Sequence, residues 1–185
     1  TGIFVADGKT TSAIALGGNP DPTSGDFGLV FSPTISPGGE VDFVAFADTG
    51  IFRGDGTRVS PIVQEGDPAP GGGGNLTGLV FYSSNSRGVI AFRAGVTGSD
   101  STEGISRSNA TSTVAIARDN TISPIGGTFI FFGDPAINSR GQVAYFAGMT
   151  GGSGDFGIFR GGDDGGTNTT IFAANQPAPG GGTPR

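Results

Sequence analysis

The sequence contains no cysteine and no histidine. Without cysteine there is no disulfide framework and no thiolate metal site, so stability has to come from packing and strand pairing. Without histidine, zinc sites of the usual His type, imidazole general bases and Ser-His or Cys-His nucleophilic pairs are excluded by inventory. Cations are scarce as well: ten Lys and Arg stand among sixteen Asp and Glu, a net charge of −6. Phosphate binding draws on clustered cations, so no nucleic-acid partner is expected. No apolar run approaches the ~20 residues of a transmembrane helix, and no membrane span is expected. The single methionine is Met149, and Thr1 stands directly on a repeat boundary, which leaves room for a signal peptide or further repeats ahead of it.

What is present is glycine and proline, 37 and 12 of the 185 residues, without the triplet period of collagen and interrupted by apolar stretches. That composition suits many short strands joined by tight turns, and the 35% hydrophobic content is enough for one domain with a core.

Those stretches repeat. Gly2-Ile3-Phe4, Gly50-Ile51-Phe52 and Gly157-Ile158-Phe159, with a degenerate copy at Gly104-Ile105-Ser106, are spaced by 48, 54 and 53 residues. Pro22, Pro70 and Pro124 follow the first Gly of their copies by 20 residues, and Pro179 follows by 22. Between them runs a third marker, Asn85-Ser86-Arg87-Gly88-Val89-Ile90-Ala91-Phe92 and Asn138-Ser139-Arg140-Gly141-Gln142-Val143-Ala144-Tyr145, with a first copy from Ser36 to Phe43. Three markers in fixed order make a repeat of about fifty residues, present about three and a half times.

Each period reads as four strands. The Gly-Ile-Phe strand ends at Asp7, Asp55 or Asn109, or at Asp163-Asp164-Gly165, residues that tolerate positive φ in a hairpin. The next strand holds Ala13-Ile14-Ala15 or its equivalents and is stopped by the Pro-x-Pro segment, since Pro cannot donate to a ladder. A Phe-rich strand follows (Leu29-Val30-Phe31, Leu79-Val80-Phe81, Phe129-Ile130-Phe131-Phe132), and the Asn-x-x-Gly turn leads into a last strand, clearest at Val143-Ala144-Tyr145-Phe146-Ala147. That strand is apolar at nearly every position, which predicts burial on both faces.

The fold expected is an all-β, β-propeller-like array of four-stranded repeats, with a β-solenoid or β-sandwich as alternative. It reads as one repeat domain: a half unit over residues 1–26 and full units over approximately 27–74, 75–127 and 128–185. Propellers typically close with four to eight blades, so this chain alone is expected to be a fragment, to close with a second copy, or to stack its repeats in the open.

These residues resemble a group of bacterial secreted tandem-repeat proteins whose units carry Gly-Ile-Phe-x-Gly-Asp-Gly, Gly-Asp-Pro-Ala-Pro-Gly and Asn-x-x-Gly-x-Val-Ala-Phe. The resemblance covers nearly the whole chain and is best over residues 50–56, 66–71 and 135–146. It implies propeller-type modules at the cell surface or outside the cell, usually without an assigned activity. Ser106 in the third unit and Asp42, where other units carry Ala91 and Ala144, depart from the pattern.

Candidate chemistry is thin. Gly8-Lys9-Thr10 lacks the upstream glycine of a phosphate loop, and Gly152-x-Gly154-x-x-Gly157 leads into a strand rather than a helix, so both are read as turns. The carboxylates Asp7, Asp55, Asp67, Asp163 and Asp164 recur where turns want them. Asp163-Asp164 does not have the spacing of a calcium loop, and no metal or cofactor is expected. Asp42 is expected to face solvent at an exposed edge, the alternative being a special site. Arg53, Arg107 and Arg160 each stand three residues after the repeat Gly. A row of them could grip the carboxylates or sulfates of a polysaccharide, with Tyr82 and Tyr145 as stacking surfaces. The plainer reading pairs them with acids such as Asp55 and Asp163. Sequons at Asn75, Asn109 and Asn168 are candidate glycosylation sites.

With no catalytic inventory, the expected role is a non-catalytic extracellular structural or interaction repeat protein, self-assembling through exposed repeat edges into a ring or filament. A carbohydrate-binding propeller is the alternative, and an acid-dependent glycosidase or lyase built on paired carboxylates a remote one.

Overall fold

The computed structural model describes residues 1–23, 25–47, 49–162 and 167–177. Over these residues the chain forms strands and no helix: β1 (Gly2–Ala6), β2 (Thr11–Leu16), β3 (Val30–Ile35), β4 (Val41–Ala45), β5 (Gly50–Gly54), β6 (Val59–Gln64), β7 (Asn75–Ser84), β8 (Ile90–Thr97), β9 (Glu103–Ser108), β10 (Thr113–Arg118), β11 (Thr128–Phe132), β12 (Ala136–Ile137), β13 (Val143–Thr150), β14 (Phe156–Gly161) and β15 (Thr169–Ala173). All pairing is antiparallel. The first sheet is β1-β2, the second β3-β4-β5-β6 and the third β7-β8-β9-β10. The fourth is β11-β13-β14-β15, with β12 also on β13. Each sheet takes its strands from one stretch of chain, as a propeller blade does. A solenoid would take one strand from every repeat. The result is a propeller-like array of open sheets, packed in chain order through β1 on β3, β5 on β7 and β9 on β11.

Alternation along the inner strands explains the stacking. Every residue of β4 is buried. Val41, Phe43 and Ala45 pack with Ile3, Ile14 and Ala15 of the first sheet. Val44 points the other way, into a core shared with Leu76, Leu79, Ile90 and Phe92 of the third. β8 does the same, Ile90 and Phe92 facing back and Ala91 facing forward to Phe129, Val143 and Tyr145. Three cores therefore alternate with four sheets, and strand side chains of period two serve a core on each face.

A β-bulge recurs at one place in every repeat, between Ile3 and Phe4, Ile51 and Phe52, Ala115 and Ala117, and Ile158 and Phe159. By inserting one extra residue it turns two consecutive side chains toward the same core. Ile14-Ala15, Ile62-Val63 and Ile116-Ala117 are buried as pairs for this reason.

Across the β4–β5 pair Phe43 stacks on Phe52 with ring centroids 5.9 Å apart, and Tyr145 stacks on Phe159 at the same distance in the fourth sheet. The third sheet puts Ser106 opposite Phe92 and lacks this stack.

The hairpin after the Gly-Ile-Phe strand works differently from expectation. Positive φ falls on the following residue, Gly8, Gly56 or Ala110. Asp7, Asp55 and Asn109 act through their side-chain oxygens, each accepting two backbone N–H groups at 2.8–3.0 Å. The turn over Asp163-Asp164-Gly165 and the marker Pro179 lie outside the described residues.

Candidate functional site

Polar residues that recur between the inner units meet between sheets. Arg53, on β5, donates from Nε to Asp42 Oδ1 at 2.6 Å and from Nη2 to Oδ2 at 2.9 Å. Its Nη1 crosses to the third sheet and donates to the carbonyl of Gly88 at 3.1 Å. Arg107, one repeat on, donates from Nη1 to the carbonyl of Gly141 in the fourth sheet, also at 3.1 Å. Each arginine thus clamps its own sheet to the Asn-x-x-Gly hairpin of the next. The glycines suit this twice over: φ is 74° at Gly88 and 86° at Gly141, and a Cβ there would stand 2.5 and 2.8 Å from the guanidinium. β1 has Val5 at the arginine position, and around the matching glycine of the second sheet, Gly39, there is open space. Arg160, in the last sheet, is exposed.

Asp42 is buried and ion-paired, not solvent-facing as expected, because its neighbour across the β4–β5 ladder is Arg53. The hydrogen bonds that Arg53 donates to Asp42 hold its guanidinium still further into its charged range, against the opposing effect of burial. The acid that Arg53 pairs with is therefore Asp42 rather than Asp55.

Other bonds reinforce the same seams. Asn85 Nδ2 donates to the Asn138 carbonyl at 2.9 Å, Asn168 Nδ2 to the Ile116 carbonyl at 2.9 Å, and Glu103 Oε1 accepts the Phe132 N–H at 2.7 Å. The Tyr82 hydroxyl lies 2.7 Å from the carbonyl oxygens of Ser32 and Asp42. Burial pushes its ionisation up, as it does for Tyr145. Tyr145 is enclosed against Phe159 and offers no ring face to a sugar, contrary to the expected stacking role.

The carboxylates are largely committed. Glu103 and Asp134 both lie 3.5 Å from Arg93. Asp119, in the turn just after β10, is buried; burial alone would raise its ionisation, but donors from Ser101, Thr102 and Glu103 hold it below the usual range. Asp55 is drawn down to about 2 by the N–H groups of Arg58 and Thr57. Among the described residues no group of three or more His, Cys, Asp or Glu could hold a metal ion, and no helix is long and apolar enough to cross a membrane. Asp163 and Asp164 are outside those residues. Asn75 and Asn109 are exposed, whereas the Asn168 amide is spent on its bond to Ile116.

What sequence reasoning missed is the pairing of the arginine row with the glycine turns. A signal existed: Arg53 and Gly88 are 35 residues apart and Arg107 and Gly141 are 34 apart, offsets within one residue of each other in a fifty-residue repeat.

The outermost sheets differ from the inner ones. Ile51 and Ile105 are fully enclosed and Ile62 and Ile116 at most 7% exposed, all against the following sheet. Their counterparts in the fourth sheet, Ile158 and Ile171, are 41% and 55% exposed. At the opposite end Phe4 is 58% exposed where Phe52 and Phe159 are enclosed. Phe4 and Val5 line a groove of about 270 Å³ together with Ile35 and Val41.

The sequence description of one family, a family of unknown function designated DUF7453, matches residues 1–184. No curated protein and no solved structure matches. The chain belongs to the DUF7453 family.

Proposed function

We propose that this member of DUF7453 is a non-catalytic structural or interaction repeat protein that associates with copies of itself through the faces of its outermost sheets. The observation that carries this reading is the exposure of Ile158 and Ile171 at positions whose counterparts, Ile51, Ile105, Ile62 and Ile116, are buried by a neighbouring sheet. An apolar face of this kind on an ordinary soluble surface marks a contact. The repeated polar side chains support the same reading, since Arg53 and Arg107 hold neighbouring sheets together. Resemblance to bacterial secreted tandem-repeat proteins supports a place outside the cell or at its surface.

Sedimentation velocity over a hundredfold concentration range tests the proposal. Mass is expected to rise with concentration, and Ile158→Glu with Ile171→Glu is expected to hold the chain monomeric while leaving its circular dichroism unchanged. A monodisperse monomer at every concentration would overturn it.

A further inference from the structure

Within the chain one apolar join is made twice in the same way. Ile3 and Ile14 of the first sheet enclose Phe52 of the second, and Ile105 and Ile116 of the third enclose Phe159 of the fourth. The second isoleucine of each pair also lies over the small residue two places after that Phe: Ile14 of β2 against Gly54 and Ile116 of β10 against Gly161, each so near that a Cβ would collide.

Both halves of this join are left over at the two ends. Ile158 and Ile171 form an exposed isoleucine pair with no phenylalanine between them, and Phe4 is an exposed phenylalanine with no isoleucine pair around it. Two places after Phe4 stands Ala6, small and exposed.

We infer that two copies of this chain join head to tail, with Phe4 of one seated between Ile158 and Ile171 of the other and Ile171 beside Ala6, held further off than Ile14 and Ile116 are from their glycines because Ala6 carries a Cβ. The inference rests on the self-association proposed above and specifies its contact. The surfaces that meet are different on each copy, so the contact is heterologous and propagates into a ring or an open filament. It is looser than the internal joins. The first sheet has two strands and brings no counterpart of Phe43, and the arginine position of β1 is taken by Val5.

The absence of native cysteine makes a clean test, because any introduced thiol is the only one in its chain. Ala6→Cys and Ile171→Cys are prepared separately, mixed in equal amounts and oxidised. The mixed disulfide is expected to exceed either homodisulfide at least tenfold, and adding Phe4→Glu to the Ala6→Cys variant is expected to cut its yield at least tenfold. Homodisulfides in equal or greater yield, or no cross-link in protein that still sediments as an oligomer, would overturn this contact and leave self-association standing. No cross-link in protein that stays monomeric would overturn both.

Discussion

Arg53 grips Asp42 with two nitrogens, Nε on Oδ1 at 2.6 Å and Nη2 on Oδ2 at 2.9 Å, in a pair whose carboxylate side chain is only 5% exposed. The pair is asymmetric, because Arg53 has a second partner in Gly88 and Asp42 has no second cation among the described residues. Arg53→Ala strands a buried carboxylate and is expected to cost about 3–5 kcal/mol. Asp42→Ala installs the residue found at 91 and 144 and is expected to cost about 1–2 kcal/mol. In a double-mutant cycle by urea denaturation, Asp42→Ala should recover part of the loss in the Arg53→Ala background; strictly additive losses would refute the coupling.

Gly88 and Gly39 share a left-handed backbone, φ 74° and 87°, but only Gly88 has a guanidinium against it. Gly39→Ala is expected to cost the backbone penalty alone, about 1–2 kcal/mol. Gly88→Ala should cost measurably more, since Arg53 must also withdraw from its carbonyl bond. Equal melting temperatures for the two variants would show that the clamp adds nothing to stability.

Asp55 gives an acid-dependent hairpin. Its carboxyl is lowered from 3.8 to about 2 in the folded chain. A group depressed on folding contributes stability that is complete above its unfolded value and lost as pH falls through its folded one, here between about pH 4 and pH 2. NMR titration of the Asp55 carboxyl should find its midpoint near the lower end of that window. Asp55→Asn copies Asn109 of the third repeat, keeps the acceptor oxygen for the turn, and should remove this hairpin's share of the acid loss. A midpoint near 4 would contradict the turn geometry.

Ile105 and Ile158 occupy the same place in successive sheets, one enclosed and one 41% exposed. At concentrations where the chain is monomeric, Ile105→Ala is expected to cost about 2–5 kcal/mol and Ile158→Ala about 1 kcal/mol or less. Guanidinium denaturation of the two variants measures the difference, and similar losses would mean that the fourth sheet is covered after all.

Much of the fold was legible because its cause is local. Strand ends follow from where Asp55, Asn109 and the Pro-x-Pro segments stand, and two-faced burial of β4 follows from a run that is apolar but for Asp42; β13, expected to be buried on both faces, keeps Val143, Tyr145 and Ala147 inside and leaves Phe146 39% exposed on its other face. Asp42 misled for a physical reason: a carboxylate in an apolar strand reads as an exposed edge unless its cross-strand neighbour is known, and that neighbour, Arg53, is eleven residues away. Tyr145, expected as a stacking surface, misled in the same manner, since its ring is taken by Phe159 on the facing strand.

By itself the amino-acid order determined an all-β chain of fifty-residue repeats without cysteine or histidine chemistry, because periodicity, turn residues and inventory are properties of short stretches. Tertiary structure decided what the repeated side chains do. Only stacking brings Arg53 to Gly88 and Arg107 to Gly141 across the seam between sheets, and only stacking separates Ile51, Ile62, Ile105 and Ile116, which are covered, from their counterparts Ile158 and Ile171, which are not. Burial and partner choice depend on the neighbouring sheet, and four near-identical segments acquire different roles from their places in the stack.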